Sequence, residues 1–200
     1  TKTTELEAVN TILSTIGEAP LSSLTGSLPV DGTTAKNVLS EINREVQSAG
    51  WHFNTHYKVD LTRDSNNKIP VAIDALRVEL HSKYDKSSYD VVQRDNYLYN
   101  LAKNTDVFDQ DFEDNTIVYL LEFEKLPEQA RRYITIRAAR MFQDRLLGAN
   151  TLHGFQLQDE LNALAVLKQE EADTADHSIF NNTDSYRIIN RNDNTDSNLS

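Results

Sequence analysis

The first apolar pattern along the chain has the spacing of an amphipathic helix. Its apolar positions are Leu6, Val9, Leu13 and Ile16. Thr4 and Glu7 stand at capping-box spacing, where each side chain can accept a hydrogen bond from the other residue's backbone N–H. Gly17 and Pro20 then provide a stop signal. The pattern predicts a helix over residues 4–16.

Three later stretches repeat this helical spacing and predict helices over residues 31–49, 127–147 and 151–178. The second stretch carries Ala35, Val38, Leu39, Ile42 and Val46. The third carries Ala130, Ile134, Ala138, Met141, Phe142 and Leu146. The fourth carries Phe155, Leu157, Leu161, Leu164, Ala165 and Leu167.

Between the second and third helices the pattern changes to short apolar runs that are typical of strands. Trp51, Phe53, Thr55, Tyr57, Val59 and Leu61 alternate with mostly polar residues. Further short runs follow in "IPVAI", "LRVEL", "YDVVQ", "YLYNL" and "TIVYLLEFE". We therefore expect an α+β fold, in which the N- and C-terminal helices form an antiparallel-type bundle and residues 52–124 are a β-rich insertion.

A glycine and two aromatic residues mark the boundary between the second helix and the first predicted strand. Gly50 is suited to end the helix in a left-handed conformation, which lets the next apolar residue fold back on the last turn. Trp51 would then clamp the helix end, and with Phe53 would form a structural corner that fixes the β-rich region against the helices.

The composition limits the chemistry available to this chain of 200 residues. Hydrophobic residues make up 38% and the formal net charge is -11. The absence of cysteine excludes disulfides, thiolate metal sites and a cysteine nucleophile. Tight non-specific binding of nucleic acid is disfavoured, because it needs clustered Lys and Arg. No apolar run approaches the roughly 20 residues of a membrane span, and we expect synthesis in the cytoplasm.

The acidic stretch "TDVFDQDFEDNT" offers the carboxylates most suited to a metal or to catalysis: Asp106, Asp109, Asp111, Glu113 and Asp114. It lacks the glycine of an EF-hand loop, so a solvated structural loop is favoured over calcium binding in 106–114. His52 and His56 would share one face of a strand, without a third ligand at a recognisable spacing. Nucleophile-elbow, P-loop and dinucleotide-binding motifs do not occur. We predict neither enzyme activity nor a cofactor.

Two alternatives to a purely structural role stay open. A glycan-hydrolysing protein would use two of the carboxylates Asp109, Asp111 and Glu113 across a cleft. A carbohydrate-binding module would offer exposed tyrosine rings for stacking, for which the candidates are Tyr84, Tyr89, Tyr97 and Tyr99. Strand core is the commoner role for such tyrosines.

The third predicted helix, "RRYITIRAARMFQDR", is rich in arginine within an acidic chain. The five arginines are Arg131, Arg132, Arg137, Arg140 and Arg145. Spacing predicts local pairs of Arg140 with Asp144 and of Arg132 with Glu128. The helix face is either solvated or an interface that binds the carboxylates of a neighbour through bidentate contacts.

Residues 181–200 contain too few apolar side chains to form a core of their own. We expect residues 1–180 to form a single α+β domain, and the C-terminal segment to be disordered or extended along another chain. Tyr186, Ile188 and Ile189 are the tail residues that would contact a partner.

Three segments, "ELEAVNTILSTIGEAP", "INREVQSAGWHFN" and "RAARMFQDRLLGA", resemble the tail tubular protein A family of short-tailed, podovirus-type bacteriophages. The family is also described as tail adaptor or gatekeeper proteins. The three segments occur in order at 5–20, 42–54 and 137–149, in the helical ends of the chain.

The resemblance implies a structural protein of the virion without catalytic duty. Members form a ring, usually of twelve subunits, which joins the portal of the capsid to the tail nozzle (tail tubular protein B). Tail fibres attach around this junction, and DNA passes through the centre during ejection. The expected partners are therefore other copies of the chain, the portal, the nozzle and tail fibres, and the DNA would pass without specific binding.

Overall fold

The computed structural model describes residues 1–147 and 153–179, and it shows helices at both ends of an antiparallel β-rich middle. The helices are α1 (Glu5–Ser14), α2 (Val30–Ser48), α3 (Glu128–Leu147) and α4 (His153–Ile179). The strands are β1 (Thr55–Leu61), β2 (Ala75–Glu79), β3 (Val91–Arg94), β4 (Tyr97–Asn100) and β5 (Phe112–Tyr119). Short 3-10 helices cover His52–Asn54 and Phe123–Lys125. The predicted α+β fold is confirmed.

The first two helices begin and end close to the predicted residues. The capping box of α1 is present, with Glu7 N donating to Thr4 Oγ1 at 3.2 Å and Thr4 N donating to Glu7 Oε2 at 2.8 Å. The pKa of Glu7 lies below its usual value, chiefly because its carboxylate accepts this backbone bond from Thr4. In α2 the buried apolar face is the predicted one, from Ala35 to Val46.

Helix α3 is the centre of the helical body, because α1, α2 and α4 all pack against it. Its fully buried residues recur at helical spacing and include Ala130, Ile134, Ala138 and Phe142. They belong to one apolar cluster with Ile12 of α1 and with buried residues of α2 and α4. The helical core is thus built around α3.

The β-rich middle has an apolar cluster of its own. A three-stranded antiparallel sheet has the order β1-β5-β2, and β3 and β4 form a separate hairpin. Phe112 of β5 is fully buried, and its ring packs edge-on against Tyr84, Tyr89 and Phe108. Leu98 of β4 is also fully buried in this cluster. The hairpin therefore packs against the sheet through side chains.

One predicted strand was wrong, and another begins later than predicted. The run "IPVAI" makes only an isolated bridge between Pro70 and Tyr97, because proline has no N–H to donate to a ladder. The strand predicted to start beside Trp51 starts instead at Thr55, after the 3-10 turn. His52 and His56 therefore do not share a strand face. Asn54 causes this turn, since its Oδ1 accepts the Trp51 N–H at 2.8 Å.

The predicted apolar stripe of α4 was also wrong in part. Leu157 and Leu161 are 40% and 51% exposed, and Ala165 is exposed as well. Among the described side chains of α4, the buried ones are Glu160, Ala163 and Leu167. Phe155 lies outside the described side chains. A buried carboxylate thus occupies the side of the helix that packs on the body.

Two buried amide side chains join the helical body to the sheet. Gln47, at the end of α2, accepts the Leu121 N–H at 2.8 Å and donates to Leu121 O at 2.9 Å. Asn54 donates to Gln47 O at 2.9 Å and to Tyr119 O at 2.8 Å. Both side chains are fully buried, so their polar groups would cost stability if these bonds were lost. Sequence analysis did not identify this junction.

The corner formed by Gly50, Trp51 and Phe53 directly follows α2. Gly50 has a positive φ of 78°, and its N–H donates to Gln47 O at 3.1 Å. Trp51 folds back on the helix, where Nε1 donates to Val46 O at 2.7 Å. The Trp51 and Phe53 rings stack with centroids 6.3 Å apart, and both rings pack on the helical core.

We expect Gly50→Ala to destabilise the fold more than Gly17→Ala. Both glycines have a φ of 78°, where alanine costs about 1–2 kcal/mol. A Cβ on Gly50 would also lie 2.6 Å from Arg77 Nη2 and 3.2 Å from Val118 Cγ2, whereas one on Gly17 would contact nothing within 4 Å. Urea unfolding of the two variants measures the difference. Equal losses would show that the neighbours of Gly50 move aside freely.

Candidate functional site

The arginines of α3 differ in what surrounds them. Arg131 is 5% exposed, and its guanidinium donates to three backbone carbonyls. Nε donates to Leu126 O at 3.0 Å, Nη1 to Thr3 O at 2.6 Å and Nη2 to Glu124 O. Arg131 therefore ties the start of the chain to the turn that precedes α3.

Arg137 and Arg140 meet at one buried carboxylate, that of Glu160 in α4. Arg140 Nε binds Glu160 Oε2, and Arg137 Nη1 lies 3.3 Å from Glu160 Oε1. The side chain of Glu160 is 8% exposed, and Arg137 also binds Glu45 of α2 at 2.5 Å. A chain of alternating charge thus joins α2, α3 and α4.

The remaining two arginines of α3, Arg145 and Arg132, lie at the surface. Arg145 holds Glu41 of α2 with two bonds of 2.8 Å, and this pairing raises the pKa of Arg145 and lowers that of Glu41. Arg140 also pairs with Asp144 at 3.2 Å, as the spacing predicted. Arg132 is exposed and makes no ion pair with a described residue. It is the arginine of α3 with a guanidinium open to a partner.

The predicted pair of Arg132 with Glu128 was wrong. Glu128 accepts the Thr3 N–H at 2.8 Å and the Thr3 hydroxyl at 2.5 Å, because the chain start folds over the first turn of α3. Burial raises the pKa of Glu128, but the two bonds from Thr3 outweigh it, so the pKa lies below the usual value. The carboxylate is therefore already engaged.

A groove of about 640 Å³ lies beside Arg132, between α1, α3 and α4. Its apolar lining comes from Ile136 and Ala139 of α3 and from Ala163 and Val166 of α4. Thr11 of α1 closes one side, and polar residues including Asp159 complete the wall. An apolar centre with a polar rim is typical of a protein-binding surface.

The aspartates of the acidic loop are paired with basic side chains and do not form an open carboxylate cluster. Its four aspartates each lie beside a basic side chain, in the pairs Asp106 with Lys68 (2.5 Å), Asp109 with Lys103 (3.5 Å), Asp111 with Arg63 (2.8 Å) and Asp114 with Lys83 (3.1 Å). No group of three or more potential ligands that could hold a metal ion occurs among the described residues.

Two of the carboxylates proposed for glycan hydrolysis, Asp109 and Asp111, have a pKa below the usual value, whereas a general acid needs a raised pKa. The Tyr89 hydroxyl, bonded at 2.7 Å, lowers the pKa of Asp109, and Arg63 lowers that of Asp111. Tyr84 and Tyr89 pack edge-on against Phe112. These two rings therefore serve the β-rich core.

Comparison with protein families decides the identity of the chain. A model of the family described as "Tail tubular protein" matches residues 6–177, which include both helical ends and the β-rich middle. The chain belongs to the tail tubular protein family. It is accordingly a structural component of a phage tail. A comparison with curated proteins gave no match.

Two further predictions concern membrane-spanning helices and the C-terminal segment. None of the helices in the described part of the chain is long and apolar enough to cross a membrane. The tail residues Tyr186, Ile188 and Ile189 lie outside the described residues, as does the whole segment 181–200. Their role as partner contacts stays a prediction.

Sequence analysis missed Glu160 as the residue that holds α4 in place. The available signal was its spacing, because Glu160 precedes the apolar residues Ala163 and Leu167 by about one and two helical turns. An acid in line with those apolar residues, in a chain with an arginine-rich helix, indicates a buried ion pair. The pairing itself spans 20 and 23 residues and has no local pattern.

We expect Glu160→Gln to lower the free energy of unfolding by about 3 kcal/mol, since it leaves two partly buried arginines without their shared anion. Hydrogen exchange in α4 should accelerate more than in α1. The matched control is Glu41→Gln, whose carboxylate binds an exposed arginine and should matter little. Equal stability of the two variants would contradict the role given to Glu160.

Proposed function

We propose that this tail protein forms a ring, of twelve subunits by the family resemblance, that joins the portal to the tail nozzle. Membership of the tail tubular protein family carries this proposal. The three segments that resemble portal adaptors contribute α1, the end of α2 with its corner, and α3. These elements contribute most of the residues of the helical core.

The charge distribution supports a conduit that does not bind DNA specifically. The chain carries a net charge of -11, and Arg137, Arg140 and Arg145 are already paired with its own carboxylates. A ring wall with more Asp and Glu than Lys and Arg would repel the phosphate backbone and let DNA slide. A lumen lined mainly by the arginines of α3 would contradict this part of the proposal.

The polar junction between helices and sheet supports a role in positioning. Gln47 and Asn54 fix the sheet to the end of α2 through buried bonds. A rigid junction lets a ring built by the helices present the β-rich regions at a constant angle to the nozzle or to tail fibres. Contacts with fibres would then come from the sheet and the β3–β4 hairpin.

Native mass spectrometry of the full chain, alone and mixed with the portal protein of the same phage, tests the proposal. We expect a closed oligomer, formed either spontaneously or when the portal is added. A chain that stays monomeric with the portal and instead releases sugars from host polysaccharide would contradict the proposal and favour the glycan-acting alternative.

A further inference from the structure

Helix α4 leaves apolar residues exposed on two opposite flanks. With Glu160 facing the body, the turn of about 100° per residue places Leu157 and Leu161 on one flank and Val166 on the other. Leu161 is 51% exposed and Val166 is 54% exposed. The flank with Leu157 and Leu161 lies toward α2, because on that side Arg137 binds both Glu160 and Glu45 of α2. The second flank borders the groove between α1 and α3.

We propose that the flank with Leu157 and Leu161 packs into the groove of a second copy of this chain. This inference rests on the proposed ring and names its subunit contact. A closed ring needs a head-to-tail contact between two different surfaces of the same subunit. The opposite flanks of α4 are two such surfaces. Leucine side chains would fill the groove against Ile136 and Val166 of the neighbour.

Charge complementarity favours a second copy as the occupant. Arg132 lies in the groove and has no ion pair within the described chain, whereas Glu45, whose side chain is 54% exposed, lies on the α2 side of Glu160, where Arg137 binds both carboxylates. The reverse pair is also present, with exposed Asp159 in the groove and exposed Lys168 on the leucine flank. Each surface therefore carries apolar side chains together with charges opposite to charges on the other surface.

Because the chain contains no cysteine, single thiols report the contact without background. Full-length Leu161→Cys and Val166→Cys variants, carrying different tags, are mixed and treated with a short bis-maleimide. We expect cross-linked pairs that carry both tags, several times more abundant than in a control mixture of Ile73→Cys with Val166→Cys. Ile73 is 85% exposed but lies in the β-rich region. Each variant alone should give little dimer.

Native mass spectrometry of the wild-type chain under the same conditions distinguishes a failure of this inference from a failure of the proposed function. A wild-type ring without enrichment of the 161–166 pair would overturn the inference and leave the adaptor function standing. Strong dimer from Leu161→Cys alone would show a twofold contact, which overturns the head-to-tail arrangement. Neither ring nor cross-link, with the portal present, would count against both.

Discussion

The helical body depends on the buried carboxylate of Glu160, held between Arg137 and Arg140. A charge removed from water destabilises a protein unless it is paired and hydrogen-bonded, so this group restricts how α4 can pack on α3. The helix must present Glu160 inward, and Leu157 and Leu161 are consequently turned outward. One polar contact thereby determines which apolar side chains remain for a partner.

Most of the other arginines of α3 are likewise engaged within the subunit. Arg131 binds backbone carbonyls, and three other arginines bind carboxylates of α2, α3 and α4. Most of the positive charge of α3 is therefore used to assemble the subunit. What remains outside is a largely acidic surface with the guanidinium of Arg132 beside an apolar groove, an arrangement suited to binding a neighbour in a tail structure.

Local patterns predicted the parts of the fold that local interactions decide. The capping box of Thr4 and Glu7 and the left-handed conformation of Gly50 could both be predicted from the sequence, because each depends on residues within one helical turn. The start of β1 at Thr55 could not be predicted in this way, since the side chain of Asn54 bends the backbone just before the strand. The face of α4 was misjudged because hydrophobic spacing treats every acid as exposed. The groove beside Arg132 is formed by three helices, α1, α3 and α4, so no local sequence pattern predicts it.

The most direct test of the account is a cryo-electron microscopy reconstruction of the neck of the phage particle that contains this chain. The account predicts a closed collar of identical subunits between portal and nozzle, with α4 at every subunit boundary and the DNA path through the centre. A collar built from a different polypeptide, or one in which α4 faces solvent away from all boundaries, would contradict it.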